Sequence, residues 1–237
     1  MKNRYLITLI SILLFSCGNE RILQLPEIKK SAITEIRDVS HAYLFYDETK
    51  EDSIELNRKN LIITTNWLVN VDKRLTLAQA IPKIKFLQDK KRNAELHKNE
   101  NAKNYFTCND TSIKNLGFLE FTDVEYETVQ LENDSITLGM LENSKEYYKN
   151  GTFENAYLIV PVIINEKGLI KYEDKSLSIL EYINEIPAHE FQNITLGSSL
   201  ELYFDKNLSF QDYISFKSTI ENLNIEAIII NTKELIY

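Results

Sequence analysis

The chain has 237 residues, of which 43% are hydrophobic and 26% charged, with a formal net charge of −8. A net negative chain has no overall attraction for nucleic acid or an anionic membrane surface, and two cysteines exclude a disulfide-built scaffold. The six glycines lie at least twelve residues apart, which excludes the clustered glycines of a P-loop or a dinucleotide fingerprint.

The first element is a leader. Lys2 and Arg4 precede an uncharged run, Tyr5–Phe15, that closes on Leu14-Phe15-Ser16-Cys17. Its eleven residues fall short of the roughly 20 a spanning helix needs. A first strand of the fold would not account for the basic start and the Ser-Cys ending together. The arrangement resembles a bacterial lipoprotein signal, with residues 1–16 removed and Cys17 lipidated. Gly18 after Cys17 resembles the outer-membrane sorting pattern. The resemblance implies a periplasm-facing protein attached to the membrane through lipid on Cys17, with removal of the leader making the remainder more negative still.

Residues 17–37 read as a tether, with Pro26–Arg37 as a short helix that has Pro26 at its first position. A first unit spans 38–110. It opens with a hairpin, Tyr43–Tyr46 and Ile54–Leu56, followed by an apolar strand, Trp67–Val71. An Asp72-Lys73 turn leads to Thr76, with Gln79 three residues on, the spacing of a capping box at a helix start. Pro82 inside that helix costs about 3 kcal/mol unless the helix kinks or begins there. Asp89–Lys103 is charged enough to read as a solvated loop or frayed helix end. Tyr105–Cys108 is strand-like, and a buried inert thiol at Cys108 outweighs a nucleophile there.

Residues 111–155 connect the units, with one or two strands in Gly117–Gln130. The second unit, 156–237, repeats the first. Val71–Leu77 matches Phe204–Phe210 at an offset of 133, with Asp72, Lys73 and Leu75 identical to Asp205, Lys206 and Leu208. Ser209 and Asp212 repeat the capping spacing, and Tyr213, Phe216, Ile220 and Leu223 mark one helix face. Ile225–Ile230 reads as a buried strand. A second echo pairs Ala42-Tyr43-Leu44 with Ala156-Tyr157-Leu158 at an offset of 114, opening a hairpin of Tyr157–Ile164 and Leu169–Tyr172. Pro161 places that strand at a sheet edge. Ser176–Ile186 carries Leu177, Leu180 and Ile183 at helical spacing, a helix that the first unit lacks. The expected class is therefore α+β: two related units, mixed sheets, helices packed on one face.

This order of hairpin, strand ending in Asp, turn, capped helix and strand resembles the periplasmic domain of the ExbD/TolR biopolymer-transport family. The match is best over Tyr157–Ile230 and more distant in Val69–Lys73. The family's membrane-spanning helix with its coupling aspartate has no counterpart in Tyr5–Phe15, so motor coupling is not implied. The resemblance implies a non-enzymatic module that binds an envelope protein or associates with itself. A small-molecule-binding lipoprotein with a cleft between the halves is the alternative. Asp72, Lys73, Asp205 and Lys206 are the candidate interaction surface, weighed against simple turn chemistry. No motif assigns a catalytic residue, a cofactor or a metal. His41, His97 and His189 lie far apart, without ligand spacing, and Gly197-Ser198-Ser199 lacks a nucleophile elbow.

Overall fold

The computed structural model describes residues 22–94, 99–131, 158–172, 175–185, 198–223 and 228–237. Two six-stranded mixed sheets carry three helices among these residues. The class is α+β, in two similar units.

The first sheet contains β1 (Glu27–Ile28), β2 (Val39–Tyr46), β3 (Ile54–Asn57), β4 (Asn66–Val71), β5 (Asn104–Asp110) and β6 (Asn115–Glu120). Its helix is α1 (Leu77–Arg92). The second contains β7 (Glu125–Thr128), β8 (Leu158–Ile164), β9 (Ile170–Tyr172), β10 (Lys175–Leu177), β11 (Ser198–Phe204) and β12 (Ile228–Ile236), with α2 (Ile179–Glu185) and α3 (Phe210–Leu223). The strand order β5-β4-β2-β3 recurs as β12-β11-β8-β9. In both, the two central pairs are parallel and the hairpin pair is antiparallel. The strand–helix–strand passages β4-α1-β5 and β11-α3-β12 occupy the same place in each.

The register corrects the second echo. Asp72 donates its N–H to the Leu44 carbonyl, and Asp205 donates to that of Ile164, both at 2.9 Å. Leu44 is thus the counterpart of Ile164, an offset of 120, and the Ala-Tyr-Leu match at 114 is coincidental. Strand register is set by which side chains reach the core, and Leu44 and Ile164 are both fully buried there.

Three other expectations change. Pro26–Arg37 is not a helix: β1 lies parallel to β5, in line with β4 where β4 has turned away. Ile33 and Ile36 then pack on the back of the first sheet with Leu68, Tyr105 and Phe118. The stretch read as a tether is therefore docked from Gln24 onward, because Ile28, Ile33 and Ile36 each have apolar surface to cover. Within Ser176–Ile186 a short strand precedes the helix, and Leu180 is exposed while Leu177, Ile179 and Tyr182 are buried. The last strand runs from Ile228 to Ile236, beyond the expected Ile225–Ile230, of which 225–227 lie outside the described residues.

Helix α1 continues through Pro82 to Arg92, so what reads as a loop from Asp89 is helical for its first turn. Gln88 and Lys91 are buried along it. Its core face is Leu77, Ala80, Ile81, Ile84 and Leu87. On α3 the buried face includes Tyr213, Phe216 and Ile220, as the spacing predicts. The two units share one core. Phe106 of β5 stacks on Phe121 at 3.8 Å and meets Phe210 of α3 edge-on at 5.2 Å, while Phe204 of β11 meets Tyr213 and Phe216 edge-on. Such aromatic pairs add about 0.5–1.5 kcal/mol each beyond their buried area. Gly168 closes the β8–β9 turn with φ +72, a conformation that costs glycine nothing.

Candidate functional site at the junction of the two units

The recurring Asp-Lys turns meet each other. The first N–H groups of a helix have no partner within it. Here each helix finds them in the other unit. Leu77 donates to the Leu208 carbonyl at 3.0 Å, and Phe210 donates to that of Leu75 at 2.7 Å. Ala78 donates to Lys206 at 2.8 Å, and Gln211 to Lys73 at 3.2 Å. Each pair is related by the offset of 133 (Leu77 to Phe210, Leu75 to Leu208), with Thr76 and Ser209 bridged on the axis. The repeat is therefore a pseudo-two-fold exchange of backbone hydrogen bonds. Both helix starts are capped: Thr76 N–H donates to Gln79 Oε1 at 2.9 Å in a capping box, and the Asp212 N–H donates to Ser209 Oγ at 3.1 Å, with Ser209 Oγ donating to the Asp212 carboxylate at 2.6 Å.

The four candidate surface residues divide. Asp72 is fully buried and is a structural hub, which corrects its place on an interaction surface. Arg74 grips it with Nε at 2.9 Å and Nη2 at 2.8 Å, and the Gln24 N–H donates to it at 3.2 Å. The guanidinium also lies 4.7 Å from the Tyr46 ring centre. Asp205 is half-buried and holds the Asn207 N–H at 2.7 Å, ordinary turn chemistry. Lys73 pairs with Glu27 at 2.8 Å, and Lys206 is exposed. The backbones of both lysines belong to the junction. At equivalent positions, Lys73 N–H donates to Gln24 and Lys206 N–H to Tyr237. The docked N-terminal segment thus takes the role in one unit that the last residue takes in the other.

Beside this junction lies a buried polar chain that the sequence did not announce. Tyr126 and Tyr213 hydroxyls are 3.1 Å apart, Tyr213 donates to Glu234 at 2.7 Å, and Lys217 donates to the same carboxylate at 2.5 Å. Glu234 is fully buried and the Lys217 side chain is 15% exposed. Burial, with the Glu234 charge beside them, pushes both phenols well above their ordinary value. The signal available was a Glu alternating with Leu235 in an apolar strand, which gave no hint of a partner.

A groove of about 340 Å³ opens between α1 and β7, lined by Lys85, Gln88, Arg92, Glu125, Glu127 and Lys233. Lys85 donates to the Tyr126 carbonyl, and Gln88 and Arg92 to that of Val124. Lys233 pairs with Glu127. Among the described residues β7 has β12 as its one strand neighbour, and Lys85, Gln88 and Arg92 cap the opposite edge, which would otherwise invite another strand. A second buried cation, Lys91, donates to the carbonyls of Thr65 and Lys103 and to Asn104, and lies 5.0 Å from the Trp67 ring centre. Burial lowers its ammonium to about 8.

Cys108 is fully buried and burial pushes its thiol up, the opposite of what a nucleophile needs. His41 is half-buried on β2, stacked with Tyr43 at 6.1 Å. Cys17, His97 and His189 lie outside the described residues. Among the described residues no group of three His, Cys, Asp or Glu could hold a metal, and no helix is long and apolar enough to cross a membrane.

No protein-family model, curated protein or solved structure matches this chain.

Proposed function

We propose that this chain is a lipid-anchored cell-envelope protein whose two fused units act as a non-enzymatic interaction module for envelope partners. The observation that carries the reading is the leader, basic at its start and ending Leu14-Phe15-Ser16-Cys17, which matches a lipoprotein signal in each part. The repeated order β5-β4-β2-β3 and β12-β11-β8-β9, each with its capped helix, supports the ExbD/TolR-like reading of both units. β8 lies inside its sheet between β9 and β11, and Pro161 is buried, so the proline does not mark the sheet edge that the sequence suggested.

The rival, a small-molecule cleft between the halves, finds less support. The junction is filled by Phe106, Phe210 and Tyr213, and the groove beside it is open and polar, unlike the mostly apolar cavities that hold small ligands.

Two measurements test the proposal. Growth with a fatty-acid analogue should label the wild type and not a Cys17→Ala variant; equal label in both, or none in either, removes the anchor. Crosslinking in intact cells should then yield a discrete adduct with an envelope protein or a second copy, and its absence removes the interaction role.

A further inference from the structure

The outer end of the first sheet carries an inference that rests on the lipid-anchor reading. Residues 111–116, the turn after β5 and the first two residues of β6, are all exposed, with Ile113 48% and Leu116 41% exposed on either side of Lys114. The docked N-terminal segment brings two more lysines to the same place. Thr111 donates its N–H to the Ile28 carbonyl at 2.9 Å, and Ser31 donates to Asp110 at 2.7 Å, so Lys29 and Lys30 pass beside the turn. Both are exposed. Asp110, the acidic residue nearest the turn, is buried and occupied by Ser31 and Ser112, while Glu221 of α3 stands beside Asn222, which donates to the Lys30 carbonyl. Three ammonium groups and two large apolar side chains therefore share one end of a chain whose formal charge is −8.

Chain length places that end toward the anchor. Ile22, 73% exposed, begins the described chain, and five steps separate it from Cys17, a reach of about 17 Å. Gln24 is already fixed against Lys73, and Glu27 lies beside Asn109. Lys73 follows the C-terminal end of β4 and Asn109 lies at the C-terminal end of β5, and these strands are parallel, so the described chain begins at the end of the sheet that carries Ile113. Ile62, 56% exposed, precedes β4 and so lies at the far end of the sheet.

We propose that this tip is a bilayer-docking surface. Ile113 and Leu116 enter the boundary between headgroups and acyl chains, while Lys29, Lys30 and Lys114 meet anionic headgroup phosphates. The partner is the bilayer that holds the Cys17 lipid.

The test uses the full-length acylated protein in phosphatidylethanolamine–phosphatidylglycerol vesicles with brominated acyl chains, which quench tryptophan on contact. Trp67 is 1% exposed and supplies a constant background. Ile113→Trp should be quenched about twofold or more, and Ile62→Trp should not. Exchanging Lys29, Lys30 and Lys114 for glutamate, or omitting phosphatidylglycerol, should reduce the effect. Equal quenching at both positions, or none at Ile113→Trp in protein that floats with the vesicles, overturns the proposal. Failure to obtain acylated protein would refute the anchor alone; the same variants coupled at Cys17 to a maleimide phospholipid would still decide the docking.

Discussion

The buried ion pair between Lys217 and Glu234 offers the sharpest quantitative test of how the second unit is held together. Lys217→Met keeps the length of the side chain and removes its charge, leaving the fully buried Glu234 carboxylate with Tyr213 as its described donor. Breaking one side of a buried pair costs about 3–5 kcal/mol, because a charge is left without compensation. Lys217 keeps 15% of its side chain in water, so solvent reaches the outer end of the pair and the lower figure, about 3 kcal/mol, is expected. For a chain of this size that is a fall in Tm of about 10 °C. Glu234→Gln should cost less, about 1–2 kcal/mol, since Lys217 can turn to solvent and the amide oxygen still accepts from Tyr213. In the double variant no charge is buried, so the two losses should not add, and a coupling of at least about 1 kcal/mol should appear in a urea-denaturation cycle. Strict additivity would mean that the pair is not formed in solution.

The two Asp-Lys turns, alike in sequence, should respond unequally. Asp72→Ala removes a buried carboxylate that holds Arg74 and Gln24 and should cost about 3 kcal/mol, whereas Asp205→Ala should cost about 1 kcal/mol or less, both read from urea midpoints. Equal losses would refute the asymmetry. Lys91 is lowered to about 8, so above that pH the folded protein binds fewer protons than the unfolded chain. Stability should therefore rise between about pH 8 and 10, by no more than about 1.4 kcal/mol per pH unit, and Lys91→Met should abolish that slope. A methyl group on Gly117 would fall 2.6 Å from Ser31 Cβ, so Gly117→Ala should push the docked segment off β6. The expected cost is about 1–3 kcal/mol, with proteolysis appearing first between residues 22 and 38; an unchanged cleavage pattern would refute it.

The parts of the fold legible in sequence were those written in short-range pattern. The Thr76/Gln79 and Ser209/Asp212 spacings gave both helix starts, because a capping box is local chemistry. Tyr213, Phe216 and Ile220 gave the buried face of α3 through helical period alone. The offset of 133 was visible because it conserves a turn and its cap, whereas the hairpin echo misled because three residues without a structural constraint can match by chance. Pro26–Arg37 misled in a different way: its apolar residues suit a helix face equally well, and the open edge of β5 decided the matter. Tyr126, Tyr213, Glu234 and Lys217 were invisible as a group, since only tertiary packing brings together positions 126, 213, 217 and 234.

By itself the sequence determined the α+β class, the presence of two related units and the cap chemistry, all of which depend on neighbours a few residues apart. Only the tertiary structure decided what the repeated turns do. Each offers its backbone carbonyls to the other unit's helix start, so the same Asp-Lys letters are a buried hub in one copy and a half-buried turn in the other. Hydrogen bonds between residues more than a hundred positions apart leave no periodic trace, because any residue supplies the N–H and C=O that form them.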